Sequence, residues 1–426
     1  MKKAQEKLYI TGGRPVSGTL PVQRAKNSAL YLLLAAVLTD EPVVLEDVPK
    51  IADVLVSIEI LEHLGVKAHW DNGNLHLHAE RLTSTHAPFS LVNRMRASFV
   101  AMGALLGRAG EATISMPGGC AFGPRPVDRH IDAFRAIGVD LVEDAGDFIA
   151  KRVAPLAGTV HFEAPTVGGT QNIILAAALG TDRVIIENAA LEPEIPDLAN
   201  MLNQMGANIR GAGTSTITID GVEALSGIRF RPVADRIEAG TYLLAAAATR
   251  GTLTVTGIEP YLLRAVLNTL SEAGVAVSET SDSITIDASA GPLKPVDYIA
   301  TEFPGLPTDL QAPFTAFLAT VPGTSRVIDQ VYPDRFTHVK ELQRAGGTLT
   351  LNDRVLTISG EKLTAAPMHA ADIRAGGAVV IAGLAAEGIS EITGLEYIDR
   401  GYDELTERLT ELGADVTRVA PALQTE

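Results

Sequence analysis

The chain holds a single cysteine and a single tryptophan in 426 residues, and its 35 lysines and arginines are outnumbered by 51 aspartates and glutamates. One cysteine excludes an intrachain disulfide and suits a reducing compartment. A formal net charge of −16 argues against nucleic acid or an anionic membrane as partner, because both demand a positive surface. No apolar run approaches the ~20 residues of a membrane span, and Met1 to Lys7 lead into a strand-like Leu8-Tyr9-Ile10 without a secretory leader. The histidines lack ligand spacing, with His76 and His78 merely alternating on a strand, so no metal is expected. P-loop, dinucleotide fingerprint and nucleophile elbow are also missing, so no cofactor is expected. These absences leave a cytoplasmic soluble protein with no inferred obligate protein partner. To bind an anionic small molecule, so acidic a chain must concentrate its few cations locally.

What the chain has in abundance is repetition. Six Ala/Leu-rich segments recur: 29–36, 98–106, 172–179, 241–248, 312–319 and 378–385. Each is apolar nearly all round, the signature of a buried helix. Each is followed by a β-rich run and then by an amphipathic helix that stops at a glycine. Those glycines are Gly65, Gly138, Gly206, Gly274, Gly346 and Gly413, spaced 73, 68, 68, 72 and 67 residues apart. Runs such as Val43-Val44-Leu45 and Leu253-Thr254-Val255 read as linking strands, while Thr216–Ile219 and Ser283–Ile286 read as exposed hairpin strands. The predicted fold is α/β, built from six βα units of about 70 residues grouped three and three. The first domain spans 22–233, and 1–21 with 234–426 form a discontinuous second one, because a strand at about 7–20 is expected to pair with the final unit. A ligand site between two such halves is the default expectation.

The cysteine lies in Pro117-Gly118-Gly119-Cys120-Ala121-Phe122-Gly123-Pro124-Arg125-Pro126-Val127-Asp128. A structural cysteine normally sits in an apolar run, so this setting favours a reactive thiol over an inert loop cysteine. The return limb is anchored by Val127, Ile131, Phe134 and Ile137, which recur at helical spacing until Gly138. Cations cluster along the chain: Lys26 with Asn27 just before the first buried helix, Arg94 and Arg96 just before the second, Arg125 at the cysteine loop, Arg335 after Tyr332-Pro333-Asp334, Arg374 after Asp372, and Arg400 in Ile398 to Tyr402, several of them just before a predicted helix. Helix N-termini favour anions and guanidinium forks suit phosphate or carboxylate, although any one of these arginines could be a solubilising surface charge. Asp309 follows a stiff Phe303-Pro304-Gly305-Leu306-Pro307-Thr308 loop and is either an N-cap or a chemical group. Asp235 to Glu238 and Glu192-Pro193-Glu194 carry the same ambiguity.

Lys26-Asn27, Met95 to Ser98, Pro117 to Asp128, Val167-Gly168, Asp235 to Glu238, Pro307-Thr308-Asp309, Arg335 to Val339, Asp372-Ile373-Arg374 and Ile398 to Tyr402 stand in order along essentially the whole chain. Together they resemble the UDP-N-acetylglucosamine enolpyruvyl transferases (1-carboxyvinyltransferases) of the EPSP synthase family, with the Gly-Gly-Cys…Arg-Pro-Val-Asp loop the most specific part. The resemblance implies a two-domain inside-out α/β barrel. It also implies enolpyruvyl transfer from phosphoenolpyruvate to the 3′-hydroxyl of UDP-N-acetylglucosamine, the first committed step of peptidoglycan synthesis and so part of cell-wall biogenesis and division.

Under that resemblance Cys120 protonates the methylene carbon of phosphoenolpyruvate and Asp309 takes the proton of the sugar hydroxyl. Lys26, Asn27, Arg125, Arg374 and Arg400 hold phosphoenolpyruvate, with Lys26 and Arg400 taking part in catalysis. Asn27, Arg96, Arg125, Pro126, Val127, Asp128, Arg129, Ala164, Pro165, Thr166, Val167, Asp309, Val331 and Arg335 contact the nucleotide sugar. The chain departs from the pattern at Gln23-Arg24, usually Ser-Gly, at Tyr31, usually proline, at Ala164, commonly lysine, and in Ala-Gly-Gly after Arg374. The alternatives are a shikimate-3-phosphate enolpyruvyl transferase, which lacks the cysteine loop, and a non-catalytic paralogue that binds nucleotide sugar.

Overall fold

A computed structural model of the chain describes residues 6–94, 99–116 and 127–420. Two compact units emerge: Gln23–Val233, and Met1–Val22 joined with Ala234–Glu426. Among the described residues there are six four-stranded sheets, and one plan is repeated in all of them. A parallel edge strand lies beside a central strand, which pairs with two further antiparallel strands, a hairpin in five of the sheets. In the Gln23–Val233 unit, for example, Gly158–His161 lies beside Arg183–Glu187, followed by Thr216–Asp220 and Asn208–Arg210. Thr216–Asp220 is therefore an interior strand, as is Ser283–Asp287 between Thr252–Thr256 and Ala276–Glu279. The exposed-hairpin reading of both runs is corrected by burial. Ile217, Ile219, Ile284 and Ile286 are fully buried, because period-2 alternation turns every isoleucine to the covered face.

Two edge strands come from far along the chain, and they set its path. The strand that precedes the first buried helix, Gly18–Pro21, completes the sheet of Thr252–Thr256. The strand that precedes the fourth, Ile228–Phe230, returns to Val43–Leu45. Lys7–Thr11 pairs with both Ile389–Thr393 and Asp415–Val419, so it supplies the missing strand of the sixth sheet. The stretch expected as one strand at 7–20 is thus two strands in two sheets.

Each unit buries three helices in its middle: Lys26–Ala35, Ala101–Ala109 and Val167–Ala177 in one, Arg236–Ala248, Gln311–Ala319 and Ile373–Ala385 in the other. Every residue of Arg236–Ala248 and of Gln311–Ala319 is buried, which their all-round apolar sequences require. The outer helices, such as Glu194–Gln204 and Arg264–Glu272, keep one polar face. All six terminal glycines adopt positive φ, from 82° to 109°, where a side chain would be strained.

Small residues let the buried helices touch. A Cβ added to Gly103 would lie 2.2 Å from the Asn172 carbonyl oxygen, and one on Gly107 would lie 2.7 Å from that of Leu175. The two contacts run in the same chain direction, so these helices are parallel. Asn172 Oδ1 also accepts the Gly103 N–H at 2.7 Å, an amide that the first helical turn leaves without an intrahelical partner. Gly103→Ala must push the helices apart, at a cost of roughly 1–3 kcal/mol. Calorimetry should record a fall of several degrees in Tm, since a unit of this size loses about 2–4 °C per kcal/mol.

Candidate functional site

Parallel burial carries the three helix N-termini of each unit to one end, and there the polar residues collect. In the discontinuous unit Asp235 caps Arg236–Ala248 by accepting the N–H groups of Ile237 and Glu238, each at 2.9 Å. Asp372 caps Ile373–Ala385 through Arg374 N at 2.9 Å and Ala375 N at 3.1 Å, and its other oxygen accepts the Thr337 hydroxyl at 2.6 Å. The third terminus is not capped this way. The 3-10 turn Thr308–Leu310 that leads into Gln311–Ala319 starts at Pro307 with no side-chain cap, which leaves the Asp309 carboxylate for other partners.

Those partners are two guanidiniums. Arg335 Nη1 lies 2.8 Å from one Asp309 oxygen and Arg374 Nη2 lies 3.1 Å from the other. Both arginines are buried, while the Asp309 side chain keeps 25% of its surface exposed. Burial pushes the Asp309 carboxyl up, but Arg374 and Arg335 outweigh it and hold the group well below the usual carboxylate range. Arg335 also donates to the Thr308 hydroxyl at 3.1 Å, and Thr308 donates to Asp329 at 2.6 Å. Asp329 accepts the N–H groups of Val331, at 3.0 Å, and Tyr332, at 2.7 Å. Burial raises Asp329 above the ordinary value and lowers His338 to about 4. Arg400 occupies the turn after Leu395–Ile398, and a Cβ on the adjacent Gly401 would lie 3.9 Å from Arg374 Nη1. Asp309, Arg335, Arg374 and the Arg400 turn therefore form one neighbourhood, with Val331 on its rim.

In the Gln23–Val233 unit, Lys26 opens the first buried helix and pairs with Asp53 at 3.1 Å, both side chains nearly closed to solvent. Ser28, two residues on, donates a hydrogen bond to Asp197, which also accepts the Val233 N–H at 3.1 Å. Burial, opposed by those bonds, raises Asp197 to about 6. Thr166 caps Val167–Ala177 by accepting the Gly169 N–H at 3.3 Å, and Ala164, Pro165 and Val167 are half-buried beside it. Val127 is half-buried just before helix Asp128–Ala136, where Asp128 and Arg129 are exposed, and His130 Nδ1 meets Asn172 Nδ2 at 3.0 Å. Asn27 is half-buried. Of the departures, Arg24 points its Nη1 at the Pro232 carbonyl, 3.4 Å away. Cys120, Arg125, Pro126 and Arg96 lie outside the described residues.

Several charged partners escaped the sequence reading. Asp53 left one trace, an acid in the apolar stretch Val48 to Val56 on a helix face that must be buried. Asp197 and Asp329 left none, because their partners come from 169 and 21 residues away. Among the described residues no group of acidic, histidine or cysteine side chains could hold a metal ion, and no helix is long and apolar enough to cross a membrane.

Residues 10–409 match the sequence profile of EPSP synthase (3-phosphoshikimate 1-carboxyvinyltransferase). The chain is 49% identical to the UDP-N-acetylglucosamine 1-carboxyvinyltransferase of Deinococcus radiodurans, covering 98% of each chain. It is 52% identical to that of Thermus thermophilus, covering 96% of each. Among solved structures, the enolpyruvyl transferase NikO from Streptomyces tendae superposes with a TM-score of 0.88 at 25% identity, over 98% of this chain and 100% of that one. EPSP synthase from Acinetobacter baumannii follows at 0.75 and 16% identity, over 97% and 100%, a likeness of fold alone. The six-sheet, two-unit α/β architecture and the whole-length matches agree: the chain belongs to the EPSP synthase family, with the UDP-N-acetylglucosamine 1-carboxyvinyltransferases among its relatives.

Proposed function

We propose that this chain transfers the enolpyruvyl group of phosphoenolpyruvate to the 3′-hydroxyl of UDP-N-acetylglucosamine and releases phosphate. The observation that carries the reading is Asp309, an ionised, partly accessible carboxylate clamped by Arg335 and Arg374, in a chain about half identical to transferases of that name. The reaction needs a proton on the methylene carbon, a base for the attacking hydroxyl, and fixed cations for the carboxylate and the departing phosphate. Cys120 supplies the proton and Asp309 takes the hydroxyl's, and the methyl group so formed gives up a proton again as phosphate leaves, which restores the vinyl double bond. Lys26, Asn27, Arg125, Arg374 and Arg400 hold the phosphoenolpyruvate anion. Arg96, Arg125 to Arg129, Ala164 to Val167, Val331 and Arg335 receive the nucleotide sugar with Asn27 and Asp309. The protein is expected to work in the cytoplasm, with these two small molecules as its partners.

A carboxylate held so low is a weak base in the free protein. Anionic substrates compete for the same guanidiniums, and each guanidinium drawn away returns basicity to Asp309. The arrangement therefore favours proton abstraction only once substrate is in place.

Phosphate release from phosphoenolpyruvate should require UDP-N-acetylglucosamine and collapse in Cys120→Ser. Release with shikimate 3-phosphate instead would move the chain to the EPSP synthases themselves, and silence with both acceptors would leave a binding paralogue. Asp309→Asn should lower kcat by about 10² or more while nucleotide-sugar binding, measured by calorimetry, persists. A third measurement concerns pH. Because the folded Asp309 value lies below the ~3.9 of an unfolded aspartate, its stabilisation is complete above that value and lost as pH falls through the folded one. Urea midpoints taken from neutrality into this acid window should decline less steeply for Asp309→Asn than for the native chain.

A further inference from the structure

The C-terminal ends of the two sets of buried helices are finished differently. In the discontinuous unit Arg250 closes that end with its own side chain, donating to the Ala247 carbonyl at 3.1 Å and to the Thr320 carbonyl at 3.0 Å. The first oxygen belongs to the last turn of Arg236–Ala248 and the second to the residue that caps the C-terminus of Gln311–Ala319. In the Gln23–Val233 unit the corresponding end holds a pocket of about 420 Å³, walled by Leu38, Gly107 and Leu179 at the ends of its three helices. That volume lies within the ~300–1,000 Å³ usual for small-molecule sites. It sits at the opposite end of these helices from Lys26 and Thr166, and so apart from the residues assigned to the transferase.

Among the described residues the charged side chains lining this pocket have no partner within the chain, and Asp40 and Glu223 are exposed. Arg108 and Arg152, both half-buried, face it together with Asp40 and Glu223. Among the described residues none of these four side chains makes a hydrogen bond or ion pair. Elsewhere among the described residues of the same unit Arg94, Arg183, Arg210, Arg229 and Arg231 pair with carboxylates, while Arg81 and Arg129, both exposed, and Arg135, which donates to the Leu141 carbonyl at 3.1 Å, do not; Arg108 and Arg152 differ from these three in being half-buried in a pocket. The Arg152 guanidinium lies over the helix end itself: a Cβ on Gly110, the left-handed C-cap of Ala101–Ala109, would be 3.7 Å from its Nε and Nη2. Two free guanidiniums suit a carboxylate. Two acids beside helix C-termini, which carry partial negative charge, suit an ammonium group. No arginine nitrogen comes within ion-pair distance of either acid among the described residues, so both charge types remain open to a ligand, and Leu38 and Leu179 add aliphatic wall to the same pocket.

We propose that this pocket binds a small zwitterion, an amino acid or dipeptide, with its carboxylate on Arg108 and Arg152 and its ammonium toward Asp40 and Glu223. The test is titration calorimetry on the full chain with L-alanyl-L-alanine, its N-acetyl and C-amide analogues, and inorganic phosphate. The expected result is saturable binding of the free dipeptide, weakened at least about tenfold by either blocking group. Binding should be lost in the double variant Arg108→Gln/Arg152→Gln, whose transferase activity stays at the native level and so reports an intact fold. Equal binding of the N-acetyl form would make this an anion site, and equal binding of the amide a cation site. Preference for phosphate, survival of binding in the double variant, or silence with every probe at millimolar concentration would each overturn the proposal.

Discussion

Everything in this molecule depends on burying, in each unit, three helices that are apolar on all sides. Such helices cannot lie at a surface, so sheets and amphipathic helices must surround them, the reverse of a barrel with helices outside. Close parallel contact is made possible by small residues such as Gly103 and Gly107, and a Cβ added to Gly377 would lie only 2.7 Å from the Tyr402 hydroxyl. Parallel packing then has an electrostatic consequence. The N-terminal N–H groups of three helices gather at one end and the carbonyls at the other, so one end of each unit is made for anions.

An acidic chain handles its cations accordingly. Outside the helix ends its arginines are largely spent on exposed ion pairs, such as Arg326 with Asp297 and Arg264 with Glu279, which contribute little to stability. At the helix ends the pairs are buried: Lys26 with Asp53, Arg374 and Arg335 with Asp309, Arg408 with Glu238. Removing one partner there leaves an uncompensated charge, which is why the geometry is held so firmly. The same pairing keeps these cations neutralised by the chain's own carboxylates. Tyr402, which bonds Thr241 at 3.1 Å and reaches Arg374, ties the guanidinium to a second buried helix.

The repeat was legible because hydrophobic periodicity is local: the six apolar segments and the six capping glycines could be counted, and the glycines all took positive φ. Cations before helices were legible for the same reason. Their partners were not. Asp309 could not be told from an N-cap by spacing alone, since the same Thr-Asp pair serves either purpose; only Arg335 and Arg374, 26 and 65 residues away, decide it. The run at Thr216–Asp220 looked like an exposed hairpin because alternation says that one face is covered without saying how many neighbours the strand has.

The sequence by itself determined the six-fold repeat, the order of its helices, the family likeness and the residue types available for chemistry, all properties of short stretches of chain. Tertiary structure alone decided which strands close which sheets, with Gly18–Pro21 and Ile228–Phe230 each completing a sheet formed far away along the chain. It also decided which acid faces which arginine, and that one helix end is sealed by Arg250 while its counterpart is left open. Backbone pairing and charge pairing act between groups distant along the chain. Their energies depend on separations of a few ångströms that no spacing in the sequence encodes.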